Sequence, residues 1–127
     1  MLGPEYPNTL DTVNNLAVLY WQQGKYEEAE PLYQRALEAR ERVLGPEHPD
    51  TAQTLGDLAV LYVDQGKFEQ AKSLYLRALA IYESVLGTDH PTTVIVRNNY
   101  ANLQEKMKQK PEVEHSKPKP ARKRGGK

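Results

Sequence analysis

The chain has 127 residues, no cysteine, and 17 acidic and 17 basic side chains, so its formal charge at neutral pH is zero. The lack of cysteine excludes disulfides, a thiolate nucleophile and a cysteine-ligated metal. Because the first residues lack the charged and apolar segments of a signal peptide, and no apolar run approaches the roughly 20 residues that span a bilayer, we expect a soluble cytoplasmic protein without membrane insertion.

One motif recurs every 42 residues: LGPEYPNT begins at Leu2, LGPEHPDT at Leu44 and LGTDHPTT at Leu86. Residues 2–43 and 44–85 are identical at 24 of 42 positions when they are aligned without gaps. Such self-similarity indicates duplicated structural units. We therefore predict a first repeat over residues 2–43, a second over residues 44–85, and a half repeat over residues 86–110.

The apolar spacing predicts two helices in each full repeat. Val13, Leu16, Ala17 and Tyr20 follow the i, i+3, i+4, i+7 pattern of a helix face that points to a core. Gly24 then interrupts the pattern, and a second apolar stripe follows it. The linkers contain Gly and Pro, which end the second helix before the next repeat begins. We predict helices over residues 8–22, 26–44, 50–64, 68–86 and 92–108.

The two ends of the repeat array differ in polarity. Arg97 and Gln104 stand where both earlier repeats have apolar or aromatic residues. A polar outer face is what a terminal helix needs, so the last helix is predicted to be a C-terminal capping helix. The first helix keeps its apolar residues, with Leu19 on its flank. We expect that flank to be covered by a second copy of the chain, as a homodimer, or by further repeats upstream.

No arrangement of side chains in the sequence is typical of an enzyme or a metal site. His48 and His90 lie 42 residues apart in equivalent linkers, without a second ligand at helical spacing. The acidic run at residues 27–30 begins a helix, where it complements the helix dipole. Because phosphate-binding glycine loops and nucleophile elbows are also missing, we predict no enzymatic activity, no cofactor and no metal.

Small and aromatic residues at fixed places give the sequence a resemblance to a known family. The pattern resembles the tetratricopeptide repeat, and the 42-residue period with its LGPEHPDT linker is similar to the kinesin light chain variety. This resemblance implies an all-α fold, an α-solenoid of antiparallel helix pairs with about two and a half repeats. It also implies a non-catalytic module for protein–protein interaction. The matching residues are Leu16, Ala17, Tyr20, Ala29, Tyr33 and Ala36 in the first repeat, and Leu58, Ala59, Tyr62, Ala71, Tyr75 and Ala78 in the second.

In similar solenoids, the free face of each first helix lines a concave groove that holds an extended peptide. Here that face combines apolar side chains with amides, which both donate to and accept from a peptide backbone. Two alternatives stay open: Trp21 packs against the turn of its own repeat, or Asn14 and Asn15 are merely solvated. The residues predicted to bind the peptide are Asn14, Val18, Trp21, Gln22, Gln53, Val60, Val63, Asp64, Asn98 and Asn102.

The last 17 residues differ from the rest of the chain. Residues 1–110 hold 15 acidic and 11 basic side chains, whereas residues 111–127 hold 2 acidic and 6 basic ones. Without apolar periodicity, this basic tail is predicted to be disordered. An alternative function is a nucleic-acid-associated adaptor that acts through the tail, although this contact is expected to be weak. Partner binding that survives deletion of residues 117–127 would favour the peptide groove.

Overall fold

The computed structural model describes residues 7–109, and all five helices of that part are α-helices: α1 Pro7–Gln22, α2 Tyr26–Val43, α3 Pro49–Asp64, α4 Phe68–Val85 and α5 Pro91–Gln109. Each of the predicted helix bounds lies within one residue of these bounds. The prediction of a disordered tail concerns residues outside the described part. Within Pro7–Gln109, none of the helices is both long and apolar enough to cross a membrane.

The turns inside each helix pair are made by glycines. Gly24 and Gly66 adopt φ angles of 79° and 78°, in the left-handed region that glycine occupies without steric cost. Behind each glycine, the amide of Lys25 donates to the carbonyl oxygen of Tyr20 and that of Lys67 to Tyr62, over 2.9 and 2.8 Å. These bonds satisfy carbonyls that the helix end would otherwise leave unpaired. The same turn therefore reverses the chain direction at Gly24 and, 42 residues later, at Gly66.

The linkers between pairs use histidine as a helix cap. The Nδ1 atom of His48 accepts a 3.0 Å hydrogen bond from the amide of Asp50, at the start of α3. His90 accepts equivalently from the amide of Thr92, over 3.1 Å, at the start of α5. Side-chain acceptors at this position satisfy amides that lack a helical partner. The two histidines therefore have a structural role in the linkers.

Successive helices pack against each other, which produces the predicted α-solenoid. Contacts join α1 to α2, α2 to α3, α3 to α4 and α4 to α5, and α1 also approaches α3. Alanines lie at the helix crossings, where Ala17, Ala29, Ala59 and Ala71 have no exposed surface. Small residues let two helix axes approach to about 8 Å. The core therefore runs along the array, and α3 and α4 contribute most of its large side chains.

The core-facing assignment of Leu16 was wrong. Leu16 is 41% exposed and Leu19 is 49% exposed, whereas Leu58 and Leu61, the equivalent residues of α3, are 3% and 0% exposed. The reason is the number of neighbouring helices: α3 packs against both α2 and α4, whereas within residues 7–109 α1 packs against α2 and approaches α3. The same sequence pattern is thus buried in the middle of the array and exposed on α1.

The last helix carries the polar substitutions noted in the sequence. The Nη2 atom of Arg97 donates to the carbonyl oxygen of Thr88 over 2.6 Å, and Gln104 is exposed. Its apolar side is used for packing, since Val96 and Leu103 are buried against the helix pair α3/α4. A capping role for α5 stays a prediction.

Candidate functional site

A small pocket opens where α1, α2 and α3 meet. Its lining is Val18, Trp21, Tyr33, Asp57 and Val60, and its volume is about 80 Å³. Val18, Trp21 and Val60 pack against the core while keeping part of their surface exposed, and Tyr33 belongs to the buried core itself. The indole Nε1 of Trp21 donates a 2.5 Å hydrogen bond to the Asp64 carboxylate on α3. We call this cavity the first pocket, and Asp64 fixes the ring of Trp21 beside it.

A larger pocket of about 300 Å³ continues the same surface between α3, α4 and α5. Val60 lines both cavities, so the two are contiguous. An aromatic ring from the second helix of a pair contributes to each cavity: Tyr33 in the first and Tyr75 in the second. We call this cavity the second pocket, and its lining is Val60, Val63, Tyr75, Asn99, Asn102, Leu103 and Lys106.

The two pockets are related by the sequence repeat. A shift of 42 residues takes Val18 to Val60, Trp21 to Val63, and Tyr33 to Tyr75. The same shift takes Asp57 to Asn99 and Val60 to Asn102. The architecture is therefore repeated, but the second pocket has amides where the first has a carboxylate and a valine.

The structure places Asn14 elsewhere than the sequence predicted. Its side chain is 1% exposed, and both the nitrogen and the oxygen of its amide form hydrogen bonds with α3. The Nδ2 atom donates to Asp57 over 3.3 Å, and Oδ1 accepts from the Thr54 hydroxyl over 2.8 Å. A buried amide with both ends bonded cannot also clamp a peptide backbone. The exposed-groove assignment of Asn14 is corrected accordingly, since the residue joins α1 to α3.

A buried arginine extends this polar network. Arg40 is 2% exposed, and its Nη1 atom donates to Thr54 Oγ1 and to the carbonyl oxygen of Asp50, each over 2.9 Å. Its Nη2 atom donates to the Asp11 carboxylate. A continuous chain of hydrogen bonds therefore leads from Asp11 through Arg40, Thr54 and Asn14 to Asp57, at the wall of the first pocket. Burial of the guanidinium is tolerated because it is paired.

Burial changes the titration of the pocket residues. It raises the pKa of the Asp57 carboxyl from 3.8 to about 6, while the hydrogen bond from Asn14 and the charge of Arg40 partly offset the rise. Burial also raises the pKa of Tyr33, with Asp57 adding to the effect. For Tyr75, burial and then the charges of Asp64 and Asp57 raise the pKa to about 12. The charge of the Asp57 carboxylate therefore contributes to the raised pKa of the tyrosines in both pockets.

The other predicted site residues lie as follows. Val18, Trp21, Val60, Val63 and Asn102 line the two pockets. Asp64 is exposed and holds Trp21. Gln22, Gln53 and Asn98 are exposed on α1, α3 and α5 without lining either cavity. No cluster of acidic or histidine side chains suited to a metal ion occurs among residues 7–109.

The predicted peptide-binding set lacks six residues that line the pockets: Tyr33, Asp57, Tyr75, Asn99, Leu103 and Lys106. Tyr33 and Tyr75 belong to the second helices and were assigned to helix packing, a role they also have, being 1% and 3% exposed. The signal was available in their size, because an aromatic ring beside an alanine crossing reaches through to the other surface. Leu103 is equivalent to Leu19 and Leu61, and its position in the third copy indicated packing only.

Comparison with known proteins agrees with this architecture. The sequence model of the tetratricopeptide repeat family matches residues 8–84 and 62–115. No curated protein sequence matches the chain.

Several solved structures superpose on the fold of this chain. A crystal structure from Podosopora anserina, of a protein assigned as a kinesin light chain with nearly identical TPR-like repeats, superposes with a TM-score of 0.78 at 26% identity. That match covers 86% of this chain and 52% of that one. A variant of the same protein gives a TM-score of 0.77 at 25% identity, covering 87% and 51% of the two chains.

A third structure, BtubC (BKLC) from P. vanneervenii, shares the fold with a TM-score of 0.58 at 22% identity, covering 94% of this chain and 53% of that one. The present chain thus spans about half the length of each of these structures. Because the family model matches most of its residues and solved relatives share its helix arrangement, the chain belongs to the tetratricopeptide repeat family, in a kinesin light chain-like form.

Proposed function

We propose that this chain is a non-catalytic module that holds an extended peptide segment of a partner protein in the groove formed by the two contiguous pockets. Tetratricopeptide repeats generally mediate contacts between proteins. The observation that carries the peptide-groove proposal is the shared lining of the pockets, where Val60 joins an apolar floor on one side to amides on the other. A cytoplasmic location is part of the same proposal.

The pocket lining suits main-chain recognition together with side-chain selection. The Asn99 and Asn102 amides offer both donors and acceptors to a peptide backbone. The apolar surfaces of Val18, Val60 and Val63 accept alternate side chains of an extended segment. Trp21 adds a large ring, and such rings often dominate the energy of an interface.

The test begins with selection of a peptide from a random library on the immobilised full chain. The affinity of the selected peptide is then measured for the wild type, for Trp21→Ala and for Val85→Ala. Val85 is 49% exposed at the end of α4 and lines neither pocket, so it provides the control. Loss of the Trp21 ring should cost about 2 kcal/mol or more. Equal affinities for all three folded proteins would refute the groove as the binding site.

The basic tail supplies the test of the alternative function. Deleting residues 117–127 removes all 6 basic side chains that follow Pro111. A groove-bound partner should keep its affinity after this deletion. Loss of all partner binding in the truncated chain, with the helical content intact, would instead favour the nucleic-acid adaptor.

Self-association through the N-terminal flank is a separate part of the proposal. Leu16 and Leu19 present apolar surface on α1, at 41% and 49% exposure. A second copy that covers this face would remove that surface from water. Sedimentation velocity at micromolar concentrations should show a dimer that Leu19→Glu dissociates. A monomer in both proteins would exclude the homodimer.

A further inference from the structure

The groove is not uniform in charge, because repeat-equivalent positions along it carry side chains of different charge. Gln22, Asp64 and Lys106 occupy the same position in α1, α3 and α5, one repeat apart. Asn15, Asp57 and Asn99 form a second such series. The negative members of both series belong to α3, and the positive member belongs to α5.

The first pocket is consequently acidic. Asp57 lines it, and Asp64 lies beside it as the acceptor of the Trp21 indole. The nearest cation of the network, Arg40, is already engaged by the Asp11 carboxylate. Asp57 accepts a hydrogen bond from the neutral Asn14 amide. One carboxylate, that of Asp57, therefore lines an apolar cavity whose wall includes an indole ring, and a second, that of Asp64, lies on the outer side of that ring.

The second pocket has the opposite character. Lys106 lines it together with Asn99 and Asn102, which are neutral donors and acceptors. The acidic residue next in sequence, Glu105, is paired with Lys108 over 3.6 Å. Lys106 is thus the charged residue in the lining of this cavity, and the charges of Asp64 and Asp57 also reach Tyr75 in its wall. Amide and ammonium donors together suit a carboxylate.

The chemistry of each pocket selects a side chain. A guanidinium or ammonium group in the first pocket would meet Asp57 and lie against the Trp21 ring, an arrangement that attracts cations, with the Asp64 carboxylate beside the pocket. A carboxylate in the second pocket would meet Lys106. Neighbouring helices pack about 8 to 10 Å apart, and an extended chain advances about 3.3 Å per residue, so about three residues connect the two pockets.

Resting on the proposed peptide groove, we propose that its ligand is a zwitterionic segment, with a basic side chain in the first pocket and an acidic side chain about three residues away in the second. The segment is extended, and apolar residues between the two charges contact Val60. The positions of its two charged side chains are fixed, but its N-to-C direction is not, because an extended peptide can run along such a groove in either direction.

The probes are nine-residue peptides, acetylated and amidated, with leucines between two variable positions three residues apart. The variable pair is arginine and glutamate, two arginines, two glutamates, or two glutamines. Binding to the full chain is followed by anisotropy of a labelled peptide and by the emission of Trp21, the only tryptophan of the chain. The arginine–glutamate peptide should bind about two- to fivefold more tightly per favourable charge pair than the alternatives. The same two charges placed next to each other should lose the advantage.

Variants with reversed charge test which residues determine the preference for charged side chains in the peptide. Lys106→Glu makes both pockets acidic. Of the four peptides, this variant should therefore bind the two-arginine peptide most tightly. Asp64→Lys removes the advantage of arginine at the first pocket and should improve binding of the two-glutamate peptide. Both side chains are exposed, which leaves the core untouched. Lys108→Glu and Glu83→Lys make the same changes of charge outside the pockets and should keep the wild-type preference.

The outcomes separate this inference from the function on which it rests. Equal binding of all four peptides, with Trp21 emission changing in each case, would overturn the charge rule and leave the peptide groove in place. Binding of none of them up to millimolar concentration would count against both. A change of Trp21 emission on deleting residues 117–127, without peptide, would show that the basic tail occupies the acidic pocket and would overturn the proposal of a separate partner.

Discussion

The two joints of this solenoid, α1/α2 against α3 and α3/α4 against α5, use equivalent positions in different ways. At the first joint, Asn14, Arg40 and Thr54 form a buried hydrogen-bonded network. A shift of 42 residues turns these into Gly56, Tyr82 and Val96 at the second joint. Tyr82 and Val96 are 5% and 8% exposed within the apolar core cluster. The helix arrangement is thus the same, while one joint is polar and the other apolar.

This difference shows that the repeat fixes shape more strictly than chemistry. Alanines at the crossings are kept in both pairs, because a larger side chain would push the helices apart. The other side chains buried at a joint can be polar or apolar, as long as they form either a hydrogen-bonded network or an apolar cluster. In the polar network of the first joint both Nη atoms of Arg40 have partners while its buried Nε has none, and an apolar set needs no partners. Mixing the two sets should therefore cost more than either one.

The largest effect is expected from placing the arginine of the polar joint into the apolar one. Tyr82→Arg buries a guanidinium where Val96 and Gly56 replace the threonine and asparagine that surround Arg40. The free energy of unfolding should fall by about 3 kcal/mol or more. Urea unfolding followed by circular dichroism measures it.

Tyr82→Met serves as the control, since it changes the shape of the side chain without adding charge. It should cost clearly less than Tyr82→Arg. Equal losses for the two variants would mean that packing alone, and not the missing polar partners, distinguishes the second joint from the first.

A smaller loss is expected when the polar joint loses its arginine. Arg40→Ala removes two hydrogen bonds of 2.9 Å and leaves Thr54 Oγ1 and the Asp50 carbonyl without that donor. The expected cost is about 2 kcal/mol, from the unsatisfied acceptors and the lost packing of the side-chain stem. The exposed Arg35 on the same helix provides the control: Arg35→Ala should change stability by less than about 0.5 kcal/mol. An Arg40→Ala protein as stable as the control would show that the network contributes nothing.

Asp57→Asn should stabilise the chain, and the gain should depend on pH. The folded-state pKa of Asp57, about 6, lies above its ordinary value of 3.8, so the folded protein holds this proton more strongly than the unfolded one. The wild type therefore loses stability as the pH rises from about 4 to 6. At pH 7 the variant should be more stable by about 1 to 2 kcal/mol, since each pKa unit corresponds to about 1.36 kcal/mol and the site is partly exposed.

Unfolding curves at pH 4 and pH 7 decide this point. At pH 4, about two units below the folded-state pKa of Asp57, the folded protein holds the proton and the carboxyl is neutral, so most of the advantage of asparagine should be lost at the lower pH. Asp50→Asn, which changes an exposed carboxylate of the same helix, controls for net charge. A gain that is equal at both pH values would show that the Asp57 carboxylate is not destabilised by burial.

The smallest effect is the coupling between Asn14 and Thr54, whose side chains share a 2.8 Å hydrogen bond. A double-mutant cycle with Asn14→Ala and Thr54→Val should give a coupling energy of about 1 kcal/mol. The equivalent pair at the apolar joint is Gly56 and Val96, so Gly56→Ala with Val96→Ala forms the matched cycle. Coupling there should be near zero. Equal coupling in both cycles would remove the distinction between the joints.

Much of the fold followed from the sequence because packing recurs with the repeat. The helix bounds were fixed by glycine in the turns and proline in the linkers, which act locally. The exposure of Leu16 could not be predicted in this way. Leu16 and Leu58 each begin the same five-residue stretch, LAVLY, and the number of helices packed around that stretch differs between α1 and α3.

The candidate site was only partly predictable for a similar reason. Val18, Trp21 and Val60 follow from the helical wheel, because their position on α1 and α3 places them on the surface that packing leaves open. The fate of Asn14 depends on Thr54 and Asp57, which lie 40 and 43 residues away along the chain. A contact of that range is set by the packing of α1 on α3 and has no local signature.

The two contiguous pockets are proposed to bind an extended peptide. A titration of the ¹⁵N-labelled full chain with the arginine–glutamate peptide, followed by two-dimensional NMR, tests it most directly. The indole Nε1 resonance of Trp21, single because the chain has one tryptophan, should shift together with the amides of Val18, Val60 and Asn102. Shifts confined to the outer surfaces of α2 and α4, or to residues after Gln109, would contradict the account.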